Sequence, residues 1–325
     1  MKTKILKLLR EKEGYLSGQE ICGQLAVSRT AVWKAIGQLK EEGYVIEAVQ
    51  NKGYYLVSAP DLVTKEEISS RLKTAWAGHP TVFLPKTDST NNEAKRLAEA
   101  GASHGTLVVA EFQEAGKGRR GRSWTSQSGT GIWMTILLKP KFPPSQASML
   151  TLVAAMAVAD GIEAVTGLAA GIKWPNDIVL AGKKVCGILT EMSAEPDYIN
   201  HVVVGIGINV NIREFPEELR ERATSLILEQ GKPVSRAAVI AAVWKAFEKY
   251  YDSFIKTADL SFLREEYGAR LLNKGEVVCV LDPKGSWEGI AGGIDENGRL
   301  LVETEKQVRT VDSGEVSVRG VYGYV

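Results

Sequence analysis

The sequence predicts an α+β protein of several domains: an N-terminal winged helix-turn-helix, a central mixed α/β domain and a small C-terminal β domain. Three observations carry this. Helical spacing of apolar residues gives way to two short strands after Gly43. A long middle stretch then alternates helical patterns with strands close enough in sequence to pair as hairpins. Beyond Asn273 only short strands and turns remain. At 325 residues the chain exceeds one typical domain, and 44% hydrophobic residues supplies a sizeable core. The boundaries fall at 1–60, 61–270 and 271–325.

Composition excludes several classes. A formal net charge of +1 is not that of a globally basic nucleic-acid protein, yet leaves room for a basic face on one domain. No secretory signal is evident, and the apolar run Leu150 to Ala159 is short of the ~18 residues of a membrane span, so a cytoplasmic protein without a membrane partner is expected. Cys22, Cys186 and Cys279 are widely spaced and lack C-x-x-C, which suits a reducing compartment. With His79, His104 and His201 equally scattered, no Cys/His metal cluster is expected, and no G-x-S-x-G elbow marks a nucleophilic serine.

In the first domain Ile5, Leu6, Leu8 and Leu9 stripe a short helix, and Ser17-Gly18-Gln19-Glu20 is a capping box opening a second. Ser28 caps a third, in which Val32, Ile36 and Leu39 face inward. That spacing turns Arg29, Thr30, Trp33 and Lys34 to the opposite face. The short joint Ala26-Val27 fits a helix-turn-helix, and strands at Tyr44–Val49 and Gly53–Val57 fit its wing. For DNA, Lys34, Lys40 and Lys52 would meet phosphates, while Arg29 and Thr30 would reach base edges. An interaction module without nucleic acid is the alternative, with Trp33 in the core.

Ala59-Pro60-Asp61 reads as a linker, and Thr64-Lys65-Glu66-Glu67 opens the helix that begins the second domain. A strand at Val82–Pro85 precedes a helix capped by Asp88-Ser89-Thr90-Asn91, whose N-terminus offers hydroxyl and amide groups to a polar ligand. After a strand at Leu107–Phe112 comes Gly116-Lys117-Gly118-Arg119-Arg120-Gly121-Arg122-Ser123-Trp124, four cations between three glycines, closed by a tryptophan. Glycines admit positive φ and close backbone approach, and guanidinium forks match phosphate oxygens, so this loop is built to wrap an anion. Its G-x-G-x-x-G spacing is not a dinucleotide fingerprint, because no helix opens at Gly121 and no acidic residue stands about 20 positions on.

Ile132–Leu138 is a strand and Ser145–Thr166 a helix apolar on nearly every side, hence buried. Strands follow at Gly171–Trp174, Ile178–Leu180, Val185–Ser193 and Tyr198–Asn209. In the turn Lys173-Trp174-Pro175-Asn176-Asp177, Asn176 and Asp177 could hold Mg²⁺ or simply shape a type I turn. Lys184 begins the run Lys184-Val185-Cys186-Gly187-Ile188-Leu189. Alternating glycines in Gly205-Ile206-Gly207-Ile208-Asn209 imply close approach of a ligand or another backbone. Helices are expected at Glu217–Leu228, Ser235–Lys256 and Asp259–Gly268, then a small β domain with turns at Asp282–Gly285 and Glu296–Gly298.

In order and spacing, Asp88 to Asn91, Gln113 with Gly116 to Trp124, Lys173 to Asp177, Lys184 to Leu189 and Gly205 to Asn209 closely resemble the biotin–protein ligases. With the winged domain in front, nearly the whole chain resembles the bifunctional bacterial form that is also the biotin operon repressor. The resemblance implies a class II synthetase-like central domain and an SH3-like β-barrel at the C-terminus. It implies that biotin and MgATP give biotinyl-5′-AMP, and that biotin then passes to a lysine of a biotin carboxyl carrier domain. Carried over by position, Ser89, Thr90 and Gln113 would hold the biotin head. Lys117, Gly118, Arg119 and Arg122 would close over carboxylate and phosphate. Lys184 would lie at the reacting oxygens, with Asn176 and Asp177 near Mg²⁺, and Asn91, Gly116, Trp124 and Gly187 would also belong to the cofactor-binding set. Lys117 departs from the family, many members of which have arginine there; lysine keeps the charge and loses the fork. Operator DNA would be bound through Ser28, Arg29, Thr30, Trp33, Lys34, Lys40 and Lys52, by a homodimer formed when the adenylate is bound. A ligand-responsive regulator without catalysis, and a lipoate-type ligase, remain as alternatives.

Overall fold

The computed structural model describes residues 1–281, 285–313 and 317–320, and the chain divides into two compact units, Met1–Leu72 and Lys73–Val325. The first unit contains helices α1 (Lys2–Glu11), α2 (Gly18–Leu25) and α3 (Arg29–Glu41), then the antiparallel hairpin β1 (Val45–Val49) and β2 (Gly53–Ser58), then α4 (Lys65–Arg71). Ser17 and Glu20 form the capping box expected before α2, and the Ser28 hydroxyl accepts from the Ala31 amide at the start of α3. Ile5, Leu6, Leu9, Ile21, Val32, Ile36 and Leu39 make one core. Trp33 is not part of it: the side chain is 70% exposed, which removes the core reading and leaves an indole standing among the cations of α3.

One expectation is corrected. The helix expected to open the second domain is α4, and it packs on α1 within the first unit. Its anchor is Glu67, 1% exposed, which accepts two hydrogen bonds from Arg10 Nη2 at 2.8 and 2.9 Å, one from Tyr44 Oη at 2.6 Å and one from Arg71 Nε at 2.8 Å. A buried carboxylate is costly unless every lone pair is met, and here all are. The sequence reading places Glu67 only in the helix opening Thr64-Lys65-Glu66-Glu67, and nothing local shows that two distant donors, Arg10 and Tyr44, converge on it with Arg71.

The second unit is built on a seven-stranded sheet of order β3-β4-β7-β11-β10-β9-β8. These strands are β3 (Thr81–Leu84), β4 (Leu107–Ala110), β7 (Gly131–Leu138), β8 (Gly171–Lys173), β9 (Asp177–Leu180), β10 (Lys183–Ala194) and β11 (Ile199–Asn209); between β4 and β7 a two-stranded ribbon pairs β5 (Gly116–Lys117) with β6 (Ser123–Trp124). β3 and β4 run parallel and the remaining neighbours antiparallel, the mixed sheet that closely spaced strands predict. Helix α5 (Thr90–Glu99) covers one face, its Ala94 packing with Val108, Leu137 and Val203. On the other face lies α6 (Met149–Thr166), whose Thr151 hydroxyl donates to that of Thr190 on β10 at 2.8 Å. The segment Pro144–Thr166 has the length and hydropathy of a membrane span. Its apolar sides are explained by burial between the sheet and α8 (Arg236–Thr257).

The helix expected over Glu217–Leu228 does not form as one element. A single 3-10 turn at Glu217–Leu219 and the short α7 (Leu226–Gln230) replace it, because residues 222–224 run beside β10: Lys184 N donates to Arg222 O and Thr224 N to Lys184 O. α9 (Arg264–Arg270) then leads to a five-stranded antiparallel sheet of β12 (Val277–Leu281), β13 (Trp287–Ile294), β14 (Leu300–Glu303), β15 (Val308–Val311) and β16 (Ser317–Gly320), in the order β15-β14-β13-β12-β16. The turn expected at Asp282–Gly285 falls on residues 282–284, outside those described. Trp174 joins the two sheets, its backbone N–H donating to Asn273 Oδ1 at 2.9 Å and its indole to Gly298 O at 3.0 Å.

Glu67 gives the first unit a pH signature. Burial raises its pKa, but donation from Tyr44 and attraction by Arg10 and Arg71 outweigh this and hold it below the usual carboxylate value. A depressed folded value means the stabilisation is complete above the unfolded pKa and is lost as pH falls through the folded one. Glu67→Gln should therefore cost about 3–5 kcal/mol, the usual penalty for removing one member of a buried ion pair, and should flatten the loss of stability in acid. Denaturant melts of both proteins from neutral pH into the acid range check this; parallel pH profiles would contradict it.

Candidate active site

The site lies on the α5 face of the sheet, where β10, β11 and β7 set residues in cross-strand rows. Gly187, Gly207 and Trp133 form one row; Leu189, Gly205 and Thr135 the next; Glu191, Val203 and Leu137 the third. The glycines leave room for side chains arriving from above. A Cβ at Gly187 or Gly207 would lie 2.7 or 2.9 Å from the indole of Trp124, and one at Gly205 would lie 2.1 Å from Asn91 Oδ1. The alternating glycines of β11 thus serve close approach, as their spacing predicts.

Trp124 arrives on the β5–β6 ribbon. The glycine–arginine stretch, read as open loop, is this tight hairpin: Gly116 and Lys117 pair with Trp124 and Ser123, Gly118 N donates to Arg122 O at 2.7 Å, and Arg120 takes positive φ (57°) in the turn. Its base is fastened by Ser126, whose hydroxyl donates to Gln113 O at 2.6 Å and accepts from Gln113 N at 2.9 Å. The following turn is held by Glu111, which accepts from Gly129 N at 2.6 Å and from the 2%-exposed Arg236 at 2.7 Å. Trp124 lies edge-on to Trp133, ring centroids 6.3 Å apart. Its buried indole N–H has no acceptor among the described residues.

One end of the cleft is neutral and polar. Ser89, Thr90 and Asn91 at the start of α5 are each less than 5% exposed, and Gln113 Oε1 accepts from Thr90 N at 2.8 Å and Thr90 Oγ1 at 3.0 Å. The other end is cationic. Lys184 Nζ is 2.6 Å from Asp177 Oδ1 and 5.1 Å from the centre of the Trp124 ring. Arg119 Nη1 donates to Asn176 Oδ1 at 3.0 Å, Nη2 donates to Ser313 O, and Asn176 Nδ2 donates to Ile188 O at 3.1 Å. Burial lowers the Arg119 pKa, Arg120 and Arg122 add repulsion, and Asp177 opposes both. Guanidinium and ammonium gathered in this way suit a bound polyanion.

The structure brings together Ser89, Thr90, Asn91, Gln113, Lys117, Gly118, Arg119, Trp124, Asn176, Lys184 and Gly187. Lys117 reaches Asn92 Oδ1 at 2.7 Å. Three predicted residues do not line the cleft. Gly116 gives close passage beneath Trp124, where a Cβ would lie 2.4 Å from the Trp124 carbonyl; Asp177 stands behind Lys184; Arg122 is exposed and enters the hairpin through its carbonyl. Among the described residues no group of three or more His, Cys, Asp or Glu is placed to hold a metal ion. Asp177 beside Asn176 is a donor set of the kind that holds Mg²⁺ arriving with nucleotide phosphates. Sequence reasoning missed Thr135, Glu191, and the pair Arg236 and Glu111. A charge inside the otherwise uncharged strand Val185–Ser193 was the available signal for Glu191.

A winged helix-turn-helix unit joined in one chain to a domain whose cleft has neutral, apolar and cationic stretches defines a two-part protein that pairs a DNA-binding fold with an anionic-ligand site. Residues 83–209 match the biotin/lipoate A/B protein ligase family, residues 2–55 an HTH domain and residues 275–319 the biotin protein ligase C-terminal domain. The bifunctional ligase/repressor BirA of Bacillus spizizenii is 43% identical over 94% of each chain. The biotin–[acetyl-CoA-carboxylase] ligase of Paracoccus denitrificans is 34% identical over all of that protein and 73% of this one. The biotin protein ligase of Aquifex aeolicus, solved in complex with biotin and ATP, superposes with a TM-score of 0.66 at 36% identity, covering 74% of this chain and 98% of that one. The chain belongs to the biotin–protein ligase family, in the bifunctional ligase/repressor form.

The glycine floor yields a direct test. Gly207→Ala places a methyl where the Trp124 indole lies, so the ring must lift or tilt. With 5-fluorotryptophan incorporated, the ¹⁹F resonance that Trp124→Phe removes should shift in Gly207→Ala. An unmoved resonance would show that the indole does not rest on this glycine.

Proposed function

We propose that this protein joins biotin to ATP as biotinyl-5′-AMP, passes the biotinyl group to a lysine of a biotin carboxyl carrier domain, and represses a biotin operon with the adenylate as corepressor. The observation that carries this is the order of chemistry along the cleft. The neutral polar end at Ser89, Thr90 and Gln113 suits an uncharged head. The Trp124 indole seated on the glycine floor suits an aliphatic chain. Arg119 and Lys184 suit a carboxylate meeting a phosphate.

In the first step a biotin carboxylate oxygen attacks the α-phosphorus and pyrophosphate leaves. Two anions must approach, and fixed cations lower that barrier without a covalent enzyme intermediate. Lys184, held by Asp177 and the Trp124 face, lies at the reacting oxygens; Arg119, fixed by Asn176, clamps the phosphate. Lys117, Gly118 and Arg122 complete the closure, with Arg122 turning inward from its exposed position. When bound, Mg²⁺ would be held by Asp177 and Asn176 and would neutralise phosphate charge. In the second step the neutral amine of the carrier lysine attacks the carbonyl carbon, AMP leaves, and the amide nitrogen sheds a proton.

For repression, Arg29, Thr30 and Trp33 on α3 would meet operator bases, and Lys34, Lys40 and the wing residue Lys52 its phosphates; all are exposed. β9 pairs with β10 only over Lys183–Gly187, so the outer edge of Thr190–Ala194 carries no strand among the described residues. Such an edge supports side-by-side pairing of two copies. Pairing tightened by the adenylate would deliver two winged units to a cytoplasmic operator at once.

Lys184→Ala tests both halves. It should slow single-turnover adenylate formation about 10²- to 10³-fold, the typical cost of losing one such stabilising group. With biotin and ATP its operator footprint should fall to the unliganded level, and supplied adenylate analogue should restore it. Near-normal adenylation would remove Lys184 from the chemistry.

A further inference from the structure

We infer that Glu191 is a positioning residue for the biotin head, acting through Asn91 and Thr135 on Thr90 and Gln113; the inference rests on the function proposed above. Glu191 is outside the cleft lining. It projects from the third cross-strand row, where Lys95 Nζ lies 2.6 Å from its Oε1.

Hydrogen-bond polarity then propagates in one direction. An ionised carboxylate only accepts. Asn91 must therefore turn its amide nitrogen toward Glu191, and Nδ2 donates to Glu191 Oε2 at 2.7 Å and to Leu189 O at 3.3 Å. That leaves Asn91 Oδ1 facing Thr135, whose hydroxyl donates to it at 2.7 Å. Thr135 has one proton for two acceptors, and while it serves Asn91 it withholds that proton from Thr90 Oγ1, 2.8 Å away. The Thr90 hydroxyl is also 3.0 Å from Gln113 Oε1, whose direction is set by Thr90 N–H. Two hydroxyl protons thus serve three oxygen–oxygen contacts, and the Thr90 oxygen is one donor short. Gln113 Nε2 has no acceptor among the described residues.

The cleft end consequently presents an oxygen seeking a donor beside a spare amide donor. A cyclic urea supplies the complement, an N–H and a carbonyl oxygen. Glu191 chooses this polarity over its reverse. Without a carboxylate the Asn91 amide can rotate by half a turn, Thr135 then receives instead of giving, and the two cleft groups lose their fixed sense. Gly205 belongs to the same device, since any Cβ there would evict the Asn91 amide.

The test uses the full chain with Glu191→Ala and Glu191→Gln, the second keeping the shape but offering Asn91 a donor as well as an acceptor. Biotin affinity is measured by calorimetry, and biotin and ATP kinetics by pyrophosphate exchange. Glu191→Ala should weaken biotin about 10- to 100-fold in Kd and KM, one or two buried hydrogen bonds' worth. Its kcat at saturating biotin and its KM for ATP should be unchanged, and Glu191→Gln, whose amide oxygen Lys95 draws away so that its nitrogen faces Asn91, should lose biotin affinity in the same range. Wild-type biotin affinity in either folded variant, or equal losses toward biotin and ATP, would each overturn the assignment. A wild-type chain that binds no biotin would overturn the proposed function and this role with it.

Discussion

The seating of the Trp124 indole on Gly187 and Gly207 is the contact on which the rest of the site depends. It fixes the β5–β6 ribbon at its C-terminal strand, and with it the height of Gly118 and Arg119 over the sheet. It also provides the aromatic face over which Lys184 lies. Both glycines are needed because they are direct cross-strand partners, and a single methyl on either would lift the ring. The hairpin in turn is rooted by Ser126 on Gln113, the residue that closes the neutral end through Thr90. One packing contact therefore sets the distance between the two chemically different ends of the cleft.

Electrostatics explains why the cationic end needs so much support. Arg119, Arg120 and Arg122 repel one another, and burial adds to the cost of charging Arg119. Asn176 and Ser313 hold Arg119 in place and Asp177 balances Lys184. Such a cluster is best compensated by an incoming anion, and its stabilising power is greatest where charge develops in the transition state. The unpaired Trp124 indole N–H points the same way, since a buried donor without an acceptor recovers its desolvation cost only when a ligand supplies one.

Much of this was legible in the sequence. The helix stripes, the capping box and caps, and the hairpin spacing of the strands are local signals, and they specify the winged unit and the mixed sheet. The glycines of β11 announced a close approach because a strand rarely tolerates them otherwise. What could not be read was convergence from afar. Glu67 looked like an N-terminal helix residue until Arg10 and Tyr44 came to it through the fold. Residues 217–228 carried helical spacing, but hydrogen bonding of Arg222 and Thr224 to β10 won over it. Arg122, one of four similar cations in sequence, was separated from Arg119 only by the turn geometry around Arg120.

The claim at the centre of this account is that the cleft activates a carboxylic acid with a neutral cyclic-urea head. Isotope exchange between pyrophosphate and ATP, measured on the full chain with biotin, with lipoate and with no acid, tests it most directly. The account predicts exchange that requires biotin and is not supported by lipoate. Exchange driven by lipoate, or none with either acid while biotin still binds, would contradict it.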